Sequence, residues 1–496
     1  MKEYFTRISV ILFLICSVIT VTYVLFIPPR PGVADQGDFQ RVMDVTGLKE
    51  KETGTADRDM LFFRYVKPEY EMAPVNPLRL SGLIPTTSMI YPVTAAKLLC
   101  RITGREFFST EVLAVIYAVV YITALTLCMK WYAPGSKPVF TITSVLSLFV
   151  LLDGNYLVWF NSLYGEPMMI TGLALFIASV LNVSNKTGPT DDKDILFVVI
   201  SSFLFLGSKA QCITALPFAA FMIVRVFSLK YRNLLEFKTA GYYALRKSLI
   251  PLVLLVFYTL GFFIQVNITC GVDTKYNSVF YGILADSDNP ERDLLELGLN
   301  TDMAVEAGKH AYLPENEYKK YVPWSDITLE EFNRKISNFK IIRFYLQNPE
   351  RLVRGMEYTA SQCFQTASSL GKYKKTDVEE YTHQFGRFTL WSDIRSRYFP
   401  RKLWFIISFF IVLAAFTLKK YIKAKNTPDR LRIELIWVIA AIGIFQFPMP
   451  YLGNGRADTA KQLFLFNYIF DILFLVMAGF LSEYIVSLLK KKQPLS

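Results

Sequence analysis

The sequence predicts an all-α polytopic membrane protein, on three observations. Of its 496 residues 52% are apolar and only 19% are charged, against roughly 25% charged in soluble globular domains. Apolar windows approaching the ~20 residues needed to cross the hydrocarbon core recur about ten times. Lysine and arginine concentrate in alternate connecting segments, the asymmetry expected of a threaded chain.

The first apolar window, Ile8–Ile27, follows Lys2 and Arg7 and runs straight into Pro28, Pro29 and Pro31. It lacks a small-x-small cleavage site and reads as a retained anchor. Further windows fall at Val112–Met129, Val139–Leu152, Met168–Val183, Ile195–Leu206, Ile213–Val226, Leu249–Val266, Leu403–Leu418, Leu435–Phe447 and Leu463–Val486. The pair Ile195–Leu206 and Ile213–Val226 is short, and parity decides it. If both cross, the loops carrying Lys130, Lys186, Arg225–Lys247 and Lys419–Arg432 share one side with the tail Lys490–Lys492. That side is then cytoplasmic, with both termini inside, in a plasma-membrane protein whose informative loops open outward. The spans carry almost no charge and no evident charge pair.

Residues 1–266 thus form an N-terminal transmembrane module with outer loops 28–111, 153–167 and 207–211. An outer helical subdomain covers 267–400, and the final transmembrane helices cover 401–496. Within the first loop, Ile90–Cys100 reads as an interfacial helix. The net charge of +12 matches cytoplasmic loop bias, and no basic stripe interleaved with aromatics suggests nucleic acid. Two histidines and six scattered cysteines without a CxxC pair exclude thiolate or histidine metal clusters. Cys270 and Cys363 share the outer compartment, where a disulfide is open to them.

Polar residues gather in the outer loops. Asp35-Gln36-Gly37-Asp38 offers two carboxylates that suit a general base with its orienter, or a divalent cation (Mg or Mn) shared with Glu166. Asp38 equally suits the N-cap of a helix beginning at Phe39. The second loop sets Asp153, Asn155, Asn161 and Tyr164 among aromatics, with Glu166 opening the next helix. Amides and carboxylates beside aromatic faces suit a sugar, although a first-turn Glu also complements a helix dipole. Lys209 sits between two short spans, either as a functional cation or as a snorkelling one. Lys209, Arg456 and Lys461 form a candidate phosphate site, with ordinary turn chemistry competing at Gly453–Gly455.

Four segments together resemble the C-type (GT-C) polytopic glycosyltransferases: Asp35–Val42, Phe160–Pro167, Arg387–Ser392 and Gly453–Asp458. More closely, they are similar to the bacterial WsfD-like hexose transferases of glycan biosynthesis. The resemblance implies transfer of a hexose from a polyprenyl-phosphate carrier to a cell-surface glycan acceptor, with an outer-loop aspartate as base, here Asp35 or Asp38. A lipid-linked glycan flippase and a polysaccharide polymerase or ligase are the competing readings.

Overall fold

The computed structural model describes residues 2–51, 63–74, 87–132, 136–186, 188, 190–232 and 237–492. It is an all-α polytopic membrane fold, and each of the expected spans is helical. Eight described helices are long and apolar enough to cross a bilayer. A ninth results if Lys137–Leu151 and Gly154–Phe160, bent by 49°, form one broken span. The expected windows, about ten, are all helical, and Asp192–Leu206, one of the pair read as short, is not among these eight or nine. That helix has 15 residues, about 22 Å at 1.5 Å per residue, short of the ~30 Å core.

The best-buried span is Glu166–Asn185, with 83% of its apolar window enclosed. It packs against the helices Thr110–Tyr132 and Asp192–Leu206. Gly172 permits the second approach, since a Cβ there would lie 2.8 Å from the Phe205 backbone. The span at Gly241–Ile268 is by contrast only 22% enclosed, as suits a lipid-facing helix. It belongs to a 40-residue helix, Phe237–Tyr276, which runs unbroken through the boundary expected at residues 266–267.

Beyond Tyr276 the chain continues as a π-helical turn, Asn277–Ile283, and then as short helices including Pro290–Leu297, Asn338–Gln347 and Pro349–Ser361. These enclose their own core of Tyr276, Phe280, Leu294, Tyr321, Phe332 and Phe344. In the first loop, the amphipathic helix Ile90–Ile102 turns Tyr91, Leu98 and Ile102 outward. Its buried Lys97 Nζ donates to the carbonyls of Thr46, Gly47 and Ala73. That ammonium tethers the helix to a small antiparallel sheet absent from the sequence reading: β1 (Leu48–Glu50), β2 (Glu69–Met72) and β3 (Phe108–Ser109). Tyr70 pairs with both Glu50 and Phe108 across it.

The expectation that the spans hold no charge pair is corrected. Arg225 forks onto Glu434 at 2.6 and 3.2 Å between two spanning helices. Arg395, from the short helix Leu390–Tyr398, pairs with Asp471 in the final span, and both side chains are fully buried. Tyr156 donates to Asp471 at 2.6 Å, while Arg395 donates to Tyr156 at 2.7 Å and to Thr366 at 3.0 Å. Glu434 and Asp471 each lie about 10 Å along their helices from an end, so both pairs sit toward the rims of the bundle. The Cys363 thiol is free and buried, and the Cys270 side chain lies outside the described residues.

Removing one member of a fully buried ion pair strands the other, at a cost of about 3–5 kcal/mol. Arg395→Ala is therefore expected to lower the thermal unfolding temperature in detergent sharply. The apolar pair Arg395→Met with Asp471→Leu should recover most of the loss, as followed by loss of tertiary structure on heating.

Candidate functional site

Four segments far apart in sequence converge at one end of the bundle. Asp35, Gln36 and Asp38 come from the loop after the first span. Tyr164 and Glu166 come from the turn into the best-buried span, and Lys209 from the turn between two helices. Asp458 and Lys461 lie just before the last span. Glycine makes one of these crossings possible: a Cβ on Gly165 would stand 2.8 Å from the Ser208 carbonyl oxygen. That approach brings Lys209 Nζ to 2.5 Å from Glu166 Oε1. Glu166 is fully buried, and its Oε2 has no partner among the described residues.

Lys461 is the centre of the second half. Its Nζ donates to Asp38 Oδ2 at 2.5 Å and to Gln36 Oε1 at 3.1 Å, and it lies 4.4 Å over the Tyr164 ring. Gln36 passes the contact on, its Nε2 donating to Asp458 Oδ2 at 2.9 Å. Tyr164 is held as the floor by its own hydroxyl, which donates to the Ala34 carbonyl at 2.9 Å, and by edge contacts with Phe39 and Trp159. Asp458 is a non-glycine residue with φ of 51°, an uncommon conformation that surrounding structure must impose. Three residues earlier Gly455 has φ of 57°, and a Cβ there would lie 2.3 Å from the Asn277 carbonyl oxygen.

The two candidate aspartates differ electrostatically. Burial works against the Asp38 charge, but Lys461, Arg41 and Lys209 outweigh it and hold the carboxyl well below the usual range. Burial moves Asp35 the other way, above the usual carboxylate value, against the opposing N–H groups of Gly37 and Phe39; the Asp38 charge adds to the rise. Both N–H groups reach Asp35 Oδ1, at 2.8 and 3.2 Å, and the Asp38 N–H also opposes the rise. Burial disfavours the Lys461 ammonium, yet Asp38 and Glu166 raise its pKa above the ordinary lysine value. Asp38 is not a helix cap: the helix Gln40–Thr46 follows Phe39 and has no side-chain cap.

Several expected site residues serve the scaffold instead. Asp153 is wholly buried, accepting the Asn155 and Ser392 N–H groups at 2.9 Å each and the Ser392 hydroxyl. It fastens the segment Arg387–Ser392 to the second loop. Asn161 accepts from Thr110 at 2.6 Å and donates to the Pro31 carbonyl at 2.8 Å, also out of solvent. Asn155 is buried beside it in sequence. None of the three is open to a sugar. Arg456 is drawn away from the lysines: it pairs with Asp286 and lies 5.1 Å over the Tyr358 ring. The phosphate set is thereby reduced to Lys209 and Lys461, with Arg41 beside them. Gln36, Arg41 and Asp458 were legible only as members of motifs, without roles.

Asp35, Asp38 and Glu166 do not fit a divalent cation. Among the described residues no three His, Cys, Asp or Glu side chains converge as a ligand set. Asp38 and Glu166 already face ammonium groups at 2.5 Å.

Fold and site together define a polytopic membrane protein with a charged, aromatic-floored cluster at one rim. The chain belongs to the family described as the YfdI N-terminal transmembrane domain, whose model matches residues 1–493. No curated protein and no solved structure matches it.

Contacting charges couple, by about 0.5–3 kcal/mol, whereas distant ones add independently. A thermal double-mutant cycle of Asp38→Asn with Lys461→Met should show coupling in that range. The cycle of Asp38→Asn with Arg456→Met should be additive, because Arg456 spends its charge on Asp286.

Proposed function

We propose that this protein is a membrane hexosyltransferase that uses a polyprenyl-phosphate sugar and acts on a cell-surface glycan at the outer face of the plasma membrane. The observation that carries the reading is the convergence of Lys209 and Lys461 with Asp35, Asp38 and Glu166 over Tyr164 at a bundle rim. Such a rim suits a donor whose prenyl chain lies in lipid and whose phosphate lies at the interface. The family match carries only the transmembrane character, and the activity rests on the site and on the sequence resemblance.

In this mechanism an acceptor hydroxyl oxygen attacks the anomeric carbon and the bond from that carbon to the phosphate oxygen breaks. The electron pair leaves with the phosphate, and the hydroxyl proton passes to a carboxylate. Attack opposite the phosphate inverts the anomeric centre. Asp35 is the better base, since its pKa is raised, whereas Asp38 is held ionised by three cations. Lys461 and Lys209 stabilise charge developing on the departing phosphate; Asp38 and Glu166 hold them in place until it arrives. No step passes through a metal.

Purified protein in proteoliposomes, given a mixture of polyprenyl-phosphate hexoses, should release polyprenyl phosphate. Asp35→Asn should abolish release, by about 10²-fold or more. Lys461→Met should chiefly raise the donor KM. Buried charge pairs within the spans favour the flippase alternative: movement of labelled lipid between leaflets without release from any donor would establish that reading instead. A ladder of products rather than single hexose transfer would indicate a polymerase.

The pH profile follows from the same electrostatics. Asp35 must be ionised to accept a proton, so activity falls as pH drops through its raised pKa, at higher pH than for an ordinary aspartate. Asp38→Asn removes a neighbouring negative charge that raises that pKa, and its acid limb should move to lower pH.

Sidedness is checked separately. An impermeant maleimide should label Asp377→Cys in intact cells and Lys425→Cys only after permeabilisation, both positions being exposed.

A further inference from the structure

Beside the lysine–carboxylate cluster stands a second group of side chains that the mechanism does not use. Tyr312 and Trp324 are 52% and 55% exposed although both belong to the folded outer subdomain rather than to a spanning helix. Asp273, near the end of the long helix, accepts the Trp324 Nε1–H on Oδ1 at 2.7 Å, and Asn277, one turn further on the same helix face, holds the Ala311 N–H beside Tyr312. Asp273 Oδ2 has no partner among the described residues. The charges of Asp458 and Asp38 reach the Tyr312 hydroxyl, and that of Arg41 reaches Asp273. The segment carrying Tyr312 and the loop carrying Asp458 and Lys461 are both bonded to Asn277, so this group stands at the same end of the molecule as the rim cluster.

Its placement is fixed by a buried hub. Asn277, fully enclosed at the first position of the π-helical turn, accepts the Ala311 N–H at 2.7 Å and donates to Asn454 Oδ1 at 2.8 Å. Asn454 in turn donates to the Ala457 carbonyl at 3.1 Å. One side chain thus locks the Tyr312 segment to the loop that carries Asp458 and Lys461. His310 is set by the same segment, its Nδ1 accepting the Tyr312 N–H at 3.2 Å while its ring lies 5.9 Å from that of Tyr312. π-Helical turns inside longer helices occur often at functional sites.

We propose that Tyr312, Trp324 and Asp273 form a binding shelf for a neutral pyranose unit of the glycan acceptor. Sugar rings present apolar C–H faces that suit exposed aromatic rings, and their hydroxyls donate to a carboxylate oxygen that is still free. The shelf holds no phosphate, because its fixed charge is negative. The proposal rests on the transferase reading for its catalytic meaning, although saccharide binding itself does not need that reading.

The test uses full-length protein in nanodiscs and, as probe, the surface polysaccharide extracted from cells lacking this protein, in which the acceptor is unmodified. Two readouts are taken: co-flotation of the polysaccharide with nanodiscs, and the KM for polysaccharide during hexose transfer. Tyr312→Ala and Trp324→Ala should each weaken retention and raise that KM by about tenfold, with kcat and donor KM within about twofold of wild type. Tyr312→Phe should retain most binding, which separates stacking from a role of the hydroxyl. Unchanged retention and KM in both alanine variants overturn the shelf, as does a wild type that does not retain the polysaccharide. If retention behaves as expected but no donor is turned over, the shelf stands and the transferase reading fails.

Discussion

A charge buried at the edge of a lipid bilayer has to be met by a partner, and that constraint organises this molecule. Glu166 is fully enclosed and Asp38 and Lys461 are partly buried, and a buried charge left without its partner is costly. Their partners come from loops tens to hundreds of residues away, so satisfying the charges also fixes how the spans are assembled. The pairing of Lys461 with Asp38 joins the first loop to the last, and that of Lys209 with Glu166 joins the two between. The same rule applies deeper down, where Arg395 and Asp471 tie a peripheral helix to the final span. Assembly and site formation are therefore a single event: a chain that misplaces a span strands a charge.

The architecture was legible in the sequence because lipid imposes a simple test on it. Every spanning segment needs a long apolar run, and window reading found each helix. At Asp192–Leu206, a helix of 15 residues, hydropathy reports composition but not whether the helix is long enough to cross. The small sheet was missed because strands of two to four residues leave almost no periodic signal, Glu69–Met72 offering a single alternation. The charge pairs inside the bundle were missed for a different reason. Arg395 belongs to a segment outside the spans, and nothing in its local sequence indicates that it folds back onto Asp471.

The candidate site was legible in part, and the division is physical. Asp35, Asp38, Glu166, Lys209 and Lys461 were picked as ionisable groups next to lipid, where a charge demands a reason, and the fold brings them together. Asp153, Asn155 and Asn161 were picked because amides and carboxylates among aromatics resemble a sugar pocket. The same composition also describes a buried hydrogen-bonded seam, and burial decides between the two. Arg456 was grouped with Lys209 and Lys461 as a third cation of the outer loops, whereas Asp286, 170 residues away, takes its charge. Residue type identified which groups mattered; only the three-dimensional partner list identified what each does.

The 40-residue helix Phe237–Tyr276 extends about 60 Å, carrying a spanning segment and ending at the hub at Asn277. Pro251 removes one rung of its hydrogen-bonded ladder, but the helix continues on both sides of it, so everything beyond keeps a fixed angular phase. Adding one residue anywhere along it would turn everything beyond by about 100° and raise it by about 1.5 Å. Asp273 would then face a different neighbour, and Asn277 would lose Asn454. The length of this helix is thus an angular setting as much as a distance, and lineages can lengthen it without losing alignment only in steps close to whole turns.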